Sequence, residues 1–213
     1  MRYSDCNRVA EALLPQLPGF VTNKKCDLFI APIGHVWRGF LFESTAWARE
    51  DFYFWWFFMP ITIPTDFMHL NYGERLNVSG SHAGWRTDVA DLPGMLMAAM
   101  KPKALPILHS IHSYRDTIEA IYFQHGKDAT NIHVLDDIAC LQILDGQFDP
   151  ALATLDLIIA MEHGTDRRQW ILDIVDRMKG LRAKLVEDPE LAVMQVKQWQ
   201  DFTYKALKLE KWR

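Results

Sequence analysis

The chain has 213 residues, 49% of them hydrophobic and 23% charged, with a formal net charge of −4. A chain of this length can bury roughly 70% of its unfolded surface, and its near-neutral balance gives no bulk attraction to nucleic acid or anionic lipid. Cys6, Cys26 and Cys140 are odd in number and widely spaced, without CxxC, so no disulfide framework or thiolate zinc site is expected and a reduced, cytoplasmic setting fits.

The first residues carry Asp5 and Glu11 where a secretory leader would be apolar. Ser4 or Asp5 can cap a short helix with Val9, Ala10, Leu13 and Leu14 on one stripe, ended by Pro15 and Pro18-Gly19. Strands are then predicted over Cys26–Ile33 and Val36–Ser44, joined by a turn at Gly34-His35. The next stretch, Phe52 to Ile63, reads FYFWWFFMPITI and holds no charge. Strand alternation puts Phe52, Phe54, Trp56 and Phe58 on one face and Tyr53, Trp55, Phe57 and Met59 on the other, so both faces need cover and the strand is read as interior. Its apolar run is about half of what a membrane helix requires, and no membrane partner is expected. A fourth strand, Phe67–Val78, alternates Leu70, Tyr72, Leu76 and Val78 with His69, Asn71, Arg75 and Asn77, the pattern of a half-exposed strand.

After the loop-like Ser79–Gly84 and Trp85, helical spacing replaces strand signals, and the boundary is placed at residue 86. Thr87 or Asp88 is read as the cap of a helix through Met100, and Ala104–Ile111 as a helix broken at Pro106. Ser113 with Asp116 has the spacing of a capping box. Asn131, Asp149-Pro150, Thr165 or Asp166, and Asp188-Pro189 are read as starts of four further amphipathic helices that need a shared core. The expected fold is α+β: an N-terminal helix and a four-stranded antiparallel sheet over residues 1–86, followed by packed helical hairpins over 87–213.

Candidate chemistry is sparse. His109 and His112, three apart, would face one side of a helix within reach of a metal, but no third ligand has diagnostic spacing and helix-end histidines are the favoured reading. His133 with Asp136 and Asp137 permits an ion pair and equally suits a solvated helix face. Cys140, inside an amphipathic pattern, reads as a buried inert thiol. The basic residues from Arg167 to Lys184 alternate with Asp166, Asp173 and Asp176, as on a mixed solvated face rather than a nucleic-acid stripe. No phosphate loop or nucleophile elbow is present, and no catalytic residue, metal ligand or cofactor is assigned. The polar residues His69, Asn71 and Arg75, with Arg38 and Glu43, can edge a groove floored by Trp55 or Phe57, and aromatic and arginine side chains dominate recognition surfaces. The competing reading makes this the wet side of the sheet.

The segment LDDIACLQILDGQFDPALATLDLIIA, Leu135 to Ala160, resembles one tetratricopeptide-type helical hairpin, with a small residue, a Gly-centred turn and a following Ala in the places that motif uses. The order of elements as a whole is similar to uncharacterised bacterial domain families, some of which are toxin-neutralising immunity proteins. That resemblance implies a non-catalytic protein that binds another protein. A second copy of the chain is within the same expectation, and the alternatives are a metal-dependent hydrolase and a small-ligand-binding protein with a pocket between sheet and helices.

Overall fold

A computed structural model describes residues 3–23, 25, 27–46, 48–78, 84–127, 130–163 and 168–213. The chain divides into two units: residues 1–59, 69–110 and 212–213 form one, and residues 60–68 and 111–211 the other. Among the described residues there are six strands and eight α-helices, an α+β fold with an antiparallel sheet.

In the first unit α1 (Tyr3–Leu13) buries Val9, Ala10 and Leu13 as its spacing predicts. The sheet then runs β1 (Phe20–Thr22), β2 (Leu28–Ile30), β3 (Val36–Ser44), β4 (Asp51–Pro60) and β5 (Tyr72–Leu76) in spatial order, with β6 (Trp85–Arg86) on β4 beyond the end of β5. The four expected strands are present, with β3 at its expected bounds. The other three are shorter than their patterns: β2 starts at Leu28, Cys26 lying outside the described residues, and β5 starts at Tyr72 rather than Phe67. β1 and β6 add to the four expected strands, since strands of three and two residues are too short to display a period in the sequence.

The aromatic strand supplies the core through one face. Phe52, Phe54, Trp56 and Phe58 are all fully buried. Phe54 stacks on Phe40 at 5.4 Å and Phe58 on Tyr72 at 5.0 Å, contacts each worth about 0.5–1.5 kcal/mol beyond their area. Phe20 extends the layer onto Phe40 and meets His109 edge-on at 5.8 Å. Two glycines allow the close approach of neighbours. A Cβ on Gly39 would run into the carbonyl of Leu28, and one on Gly73, whose φ is +129°, into that of Trp56.

Helices α2 (Leu92–Met100) and α3 (Ala104–Ser110) belong to this unit. The cap of α2 is Asp91, whose carboxylate accepts from Gly94 N, rather than Thr87 or Asp88. Pro106 does not break α3, because it stands in the first turn, where the missing N–H has no helical acceptor. The chain end returns to the sheet: Ile33 N donates to Trp212 O at 2.8 Å, and Trp212 meets Phe29 edge-on.

The second unit contains α4 (Tyr114–His125), α5 (Ile132–Leu144), α6 (Phe148–Ala160), α7 (Gln169–Glu187) and α8 (Pro189–Ala206), each packed on the one before it. Their shared core includes Ala139, Ile143, Leu155, Val175, Met178 and Val196, and it also takes Ile63. The segment carrying Ile63 is tied down by Thr203, whose hydroxyl donates to Ile63 O at 2.7 Å and accepts from Thr65 N at 3.1 Å. Ser113 and Asp116 form the complete capping box of α4, and Asn131 and Asp188 cap α5 and α8 through their side chains. The expected start of α7 at Thr165 or Asp166 lies outside the described residues.

The start of α6 departs from expectation. Its N-cap is Gln147, with no side-chain cap, so Asp149 stands in the first turn and Pro150 follows it. The carboxylate then acts only on the helix dipole. Asp149→Ala is expected to cost about 0.3 kcal/mol, against about 1–2 kcal/mol for Ser113→Ala, which dissolves a capping box. Urea unfolding of both variants checks this, and equal losses would contradict the assigned helix start.

Candidate functional site

The second face of β4 is buried at one end and open at the other. Phe57 and Met59 are fully buried, whereas Tyr53 and Trp55 are only half-buried. The difference lies in their neighbours. Phe57 faces Gly73 on β5 and packs edge-on against Trp37 at 5.5 Å, with Phe29 beyond. Trp55 instead faces Arg75, a long polar side chain that covers the ring and leaves its rim wet.

Arg75 organises this open end. Its guanidinium carbon stands 3.5 Å from the centroid of the Tyr53 ring and 4.9 Å from that of Trp55. A cation held over two aromatic faces gains about 0.5–1 kcal/mol per ring at exposed sites. From β3, Glu43 accepts a hydrogen bond from Trp55 Nε1 at 2.8 Å, which fixes the indole rotation. Strand register therefore joins Glu43, Trp55 and Arg75 and adds Tyr53, which sequence reasoning left out of the set. The signal was available, since Tyr53 alternates with Trp55 on one face.

The remaining expected residues lie elsewhere. Phe57 is core and cannot floor a groove. His69 and Asn71 precede β5, so alternation does not align them with Arg75. Arg38 alternates with Trp37 and therefore shares the Phe40 face of β3; it is half-buried, and desolvation pulls its pKa below the ordinary arginine value.

A second polar cluster lies in the helical unit. Residues Val134 to Ile143 of α5 are all buried, so Asp136 and Asp137 are not on the solvated face that the sequence suggested. Arg177 of α7 donates through Nη2 to Asp136 Oδ2 and lies over the Trp199 ring at 5.8 Å. Asp137 accepts from the Thr62 hydroxyl at 3.4 Å. Desolvation dominates at Asp136, and its pKa rises to about 6 despite the attraction of Arg177. His133 stacks on Trp170 at 4.8 Å, and burial followed by Arg177 lowers its pKa. Burial, then Asp136, pushes the Cys140 thiol up. Full burial of Asp136, Asp137 and Cys140, with the charge of Arg177 set against Asp136, gives this cluster the form of a core element rather than a site open to substrate.

His109 and His112 do not share a helix, because α3 ends at Ser110. Among the described residues, no group of three or more His, Cys, Asp or Glu side chains could hold a metal ion, and no helix is long and apolar enough to cross a membrane. In the sheet unit a cleft of about 650 Å³ runs beside α1 and the start of α2. It sets Asp5, Arg8, Arg49 and Glu50 above Val9 and Leu92. Arg8 is already engaged there, 3.6 Å from Asp5 and donating to Thr87 O.

No protein-family profile, curated protein or solved structure matches the chain.

Proposed function

We propose that this is a non-catalytic interaction protein that binds another protein on the open end of the sheet, at Tyr53, Trp55 and Arg75. One observation carries the reading: the Arg75 guanidinium lies over two half-buried aromatic rings at the rim of an otherwise dry strand face. Tyr, Trp and Arg supply most binding hot spots, because each brings a large apolar area with a polar end. Here the three are ordered in advance by Glu43 and by mutual stacking. Preordering removes about 0.5–1.5 kcal/mol of entropy cost for each side chain immobilised on binding. The resemblance in layout to immunity-type families also points to a protein partner.

The test compares capture from native cell extract by the wild-type chain and by the Trp55→Ala and Arg75→Ala variants. A partner retained near stoichiometry by the wild type is expected to fall at least about tenfold with either folded variant. Equal retention by all three chains would refute the assignment.

The cleft beside α1 favours a second reading, a small-molecule-binding protein, because its volume lies within the range of small-ligand sites. A metabolite that raises the unfolding temperature of the wild type but not of Arg49→Ala would support this reading over the first.

A further inference from the structure

Resting on the protein-binding reading above, we infer that the partner places a carboxylate side chain, Asp or Glu, on Arg75. The inference begins with hydrogen bonds that Arg75 does not make. Arginine carries five N–H donors in a planar fork and seeks acceptors for them when it is desolvated. Arg75 is half-buried, and its Nε is enclosed without an acceptor. Its terminal nitrogens are not enclosed, and among the described residues no carboxylate lies within ion-pair distance of them. Stacking on Tyr53 and Trp55 occupies the faces of the guanidinium and leaves its edges, where the N–H bonds point, free to donate.

Glu43, the acid of the set, accepts the Trp55 indole N–H at 2.8 Å and makes no ion pair with Arg75. An incoming carboxylate would meet a guanidinium edge that donates two parallel hydrogen bonds to its oxygens, while its hydrocarbon stem lay along the Tyr53 and Trp55 rims. The charge count selects a carboxylate over a phosphate. Among the described residues no second cation stacks on Tyr53 or Trp55, so the one positive charge of Arg75 matches a single negative charge and not a dianion. The net charge of −4 disfavours a polyanionic strand on the same ground.

A displayed library of random peptides, selected on the full chain, tests this. The expected result is enrichment of peptides with Asp or Glu at one fixed position, whose affinity drops about tenfold or more when that residue becomes Asn or Gln. Because that exchange is made in the peptide, the reading does not depend on whether an Arg75 variant folds. On the protein side, Arg75→Gln is expected to abolish the preference for the acid, and Arg75→Lys to keep part of it through charge without the bidentate fork. Peptides that need Tyr53 and Trp55 but carry no acid would overturn the carboxylate while leaving the protein-binding reading in place. The same holds if a phosphoserine peptide binds more tightly than its glutamate counterpart. If no selected peptide depends on Tyr53, Trp55 or Arg75, both readings fall.

Discussion

Trp56→Ala is expected to destabilise the chain by about 3–5 kcal/mol, a large share of a typical domain's stability, while Trp55→Ala changes it by no more than about 1 kcal/mol. The two indoles are adjacent in sequence and on opposite faces of β4. Trp56 has no exposure at all; it lies 6.4 Å from the Phe58 ring and beneath the Lys103 ammonium at 5.9 Å. Its removal leaves a cavity in the layer of fully buried rings that Phe54 and Phe58 form on the same face. Trp55 loses one exposed hydrogen bond to Glu43 and one stacking contact with Arg75, both at the rim. Trp56→Phe sharpens the comparison. The Trp56 indole N–H is buried without an acceptor, so phenylalanine removes an unsatisfied donor worth about 1–3 kcal/mol and offsets part of the lost volume. Chemical denaturation of the three variants supplies the numbers. Equal, severe losses for both alanine variants would show that Trp55 is core and remove the open end of the sheet.

The second large effect concerns Arg177. With Asp136 fully buried, Arg177→Met leaves a carboxylate without its counter-ion, and the expected cost near pH 8 is about 3–5 kcal/mol. The cost should shrink near pH 5. In the folded chain Asp136 holds its proton up to about 6, against 3.8 ordinarily, so between these values the folded state binds more protons than the unfolded one. The stability that this carboxyl contributes is therefore fully present below about pH 4 and is lost as the pH rises through about 6. Without Arg177 its pKa moves further up, and the penalty grows with pH. Asp136→Leu combined with Arg177→Met should recover most of the loss, since both charges leave together. Thermal unfolding across the pH range decides the matter. A pH-independent penalty would mean that Arg177 acts by packing on Trp199 rather than by charge.

Features set by local chemistry could be read from the sequence. The capping box of Ser113 and Asp116 and the caps at Asn131 and Asp188 depend on side chains two or three residues from the backbone groups they bind, so spacing alone reveals them. The bounds of β3 and the fully buried Phe52–Phe58 face of β4 follow from alternation in the same way. So does the amphipathic stripe of α7, which buries Ile171, Ile174, Met178, Leu181 and Leu185 as its period requires, whereas α8 buries Val196 but leaves Phe202, expected on the same stripe, exposed.

What only the tertiary structure decided depends on what covers a residue from far along the chain. Trp55 and Phe57 share a strand face, and their fates diverge because Arg75 faces one and Gly73 the other, a matter of β4–β5 register. Asp136 and Asp137 resemble surface acids until Arg177 and Thr62, both distant in sequence, bind them inside the core. The same is true of residues 60–63, which end the aromatic strand pattern in sequence yet belong, with 64–68, to the helical unit through Ile63 and Thr203, while α2 and α3 belong to the sheet unit. A local pattern reports which face of an element is apolar. The neighbour that buries it is set by long-range packing, which leaves no period in the sequence.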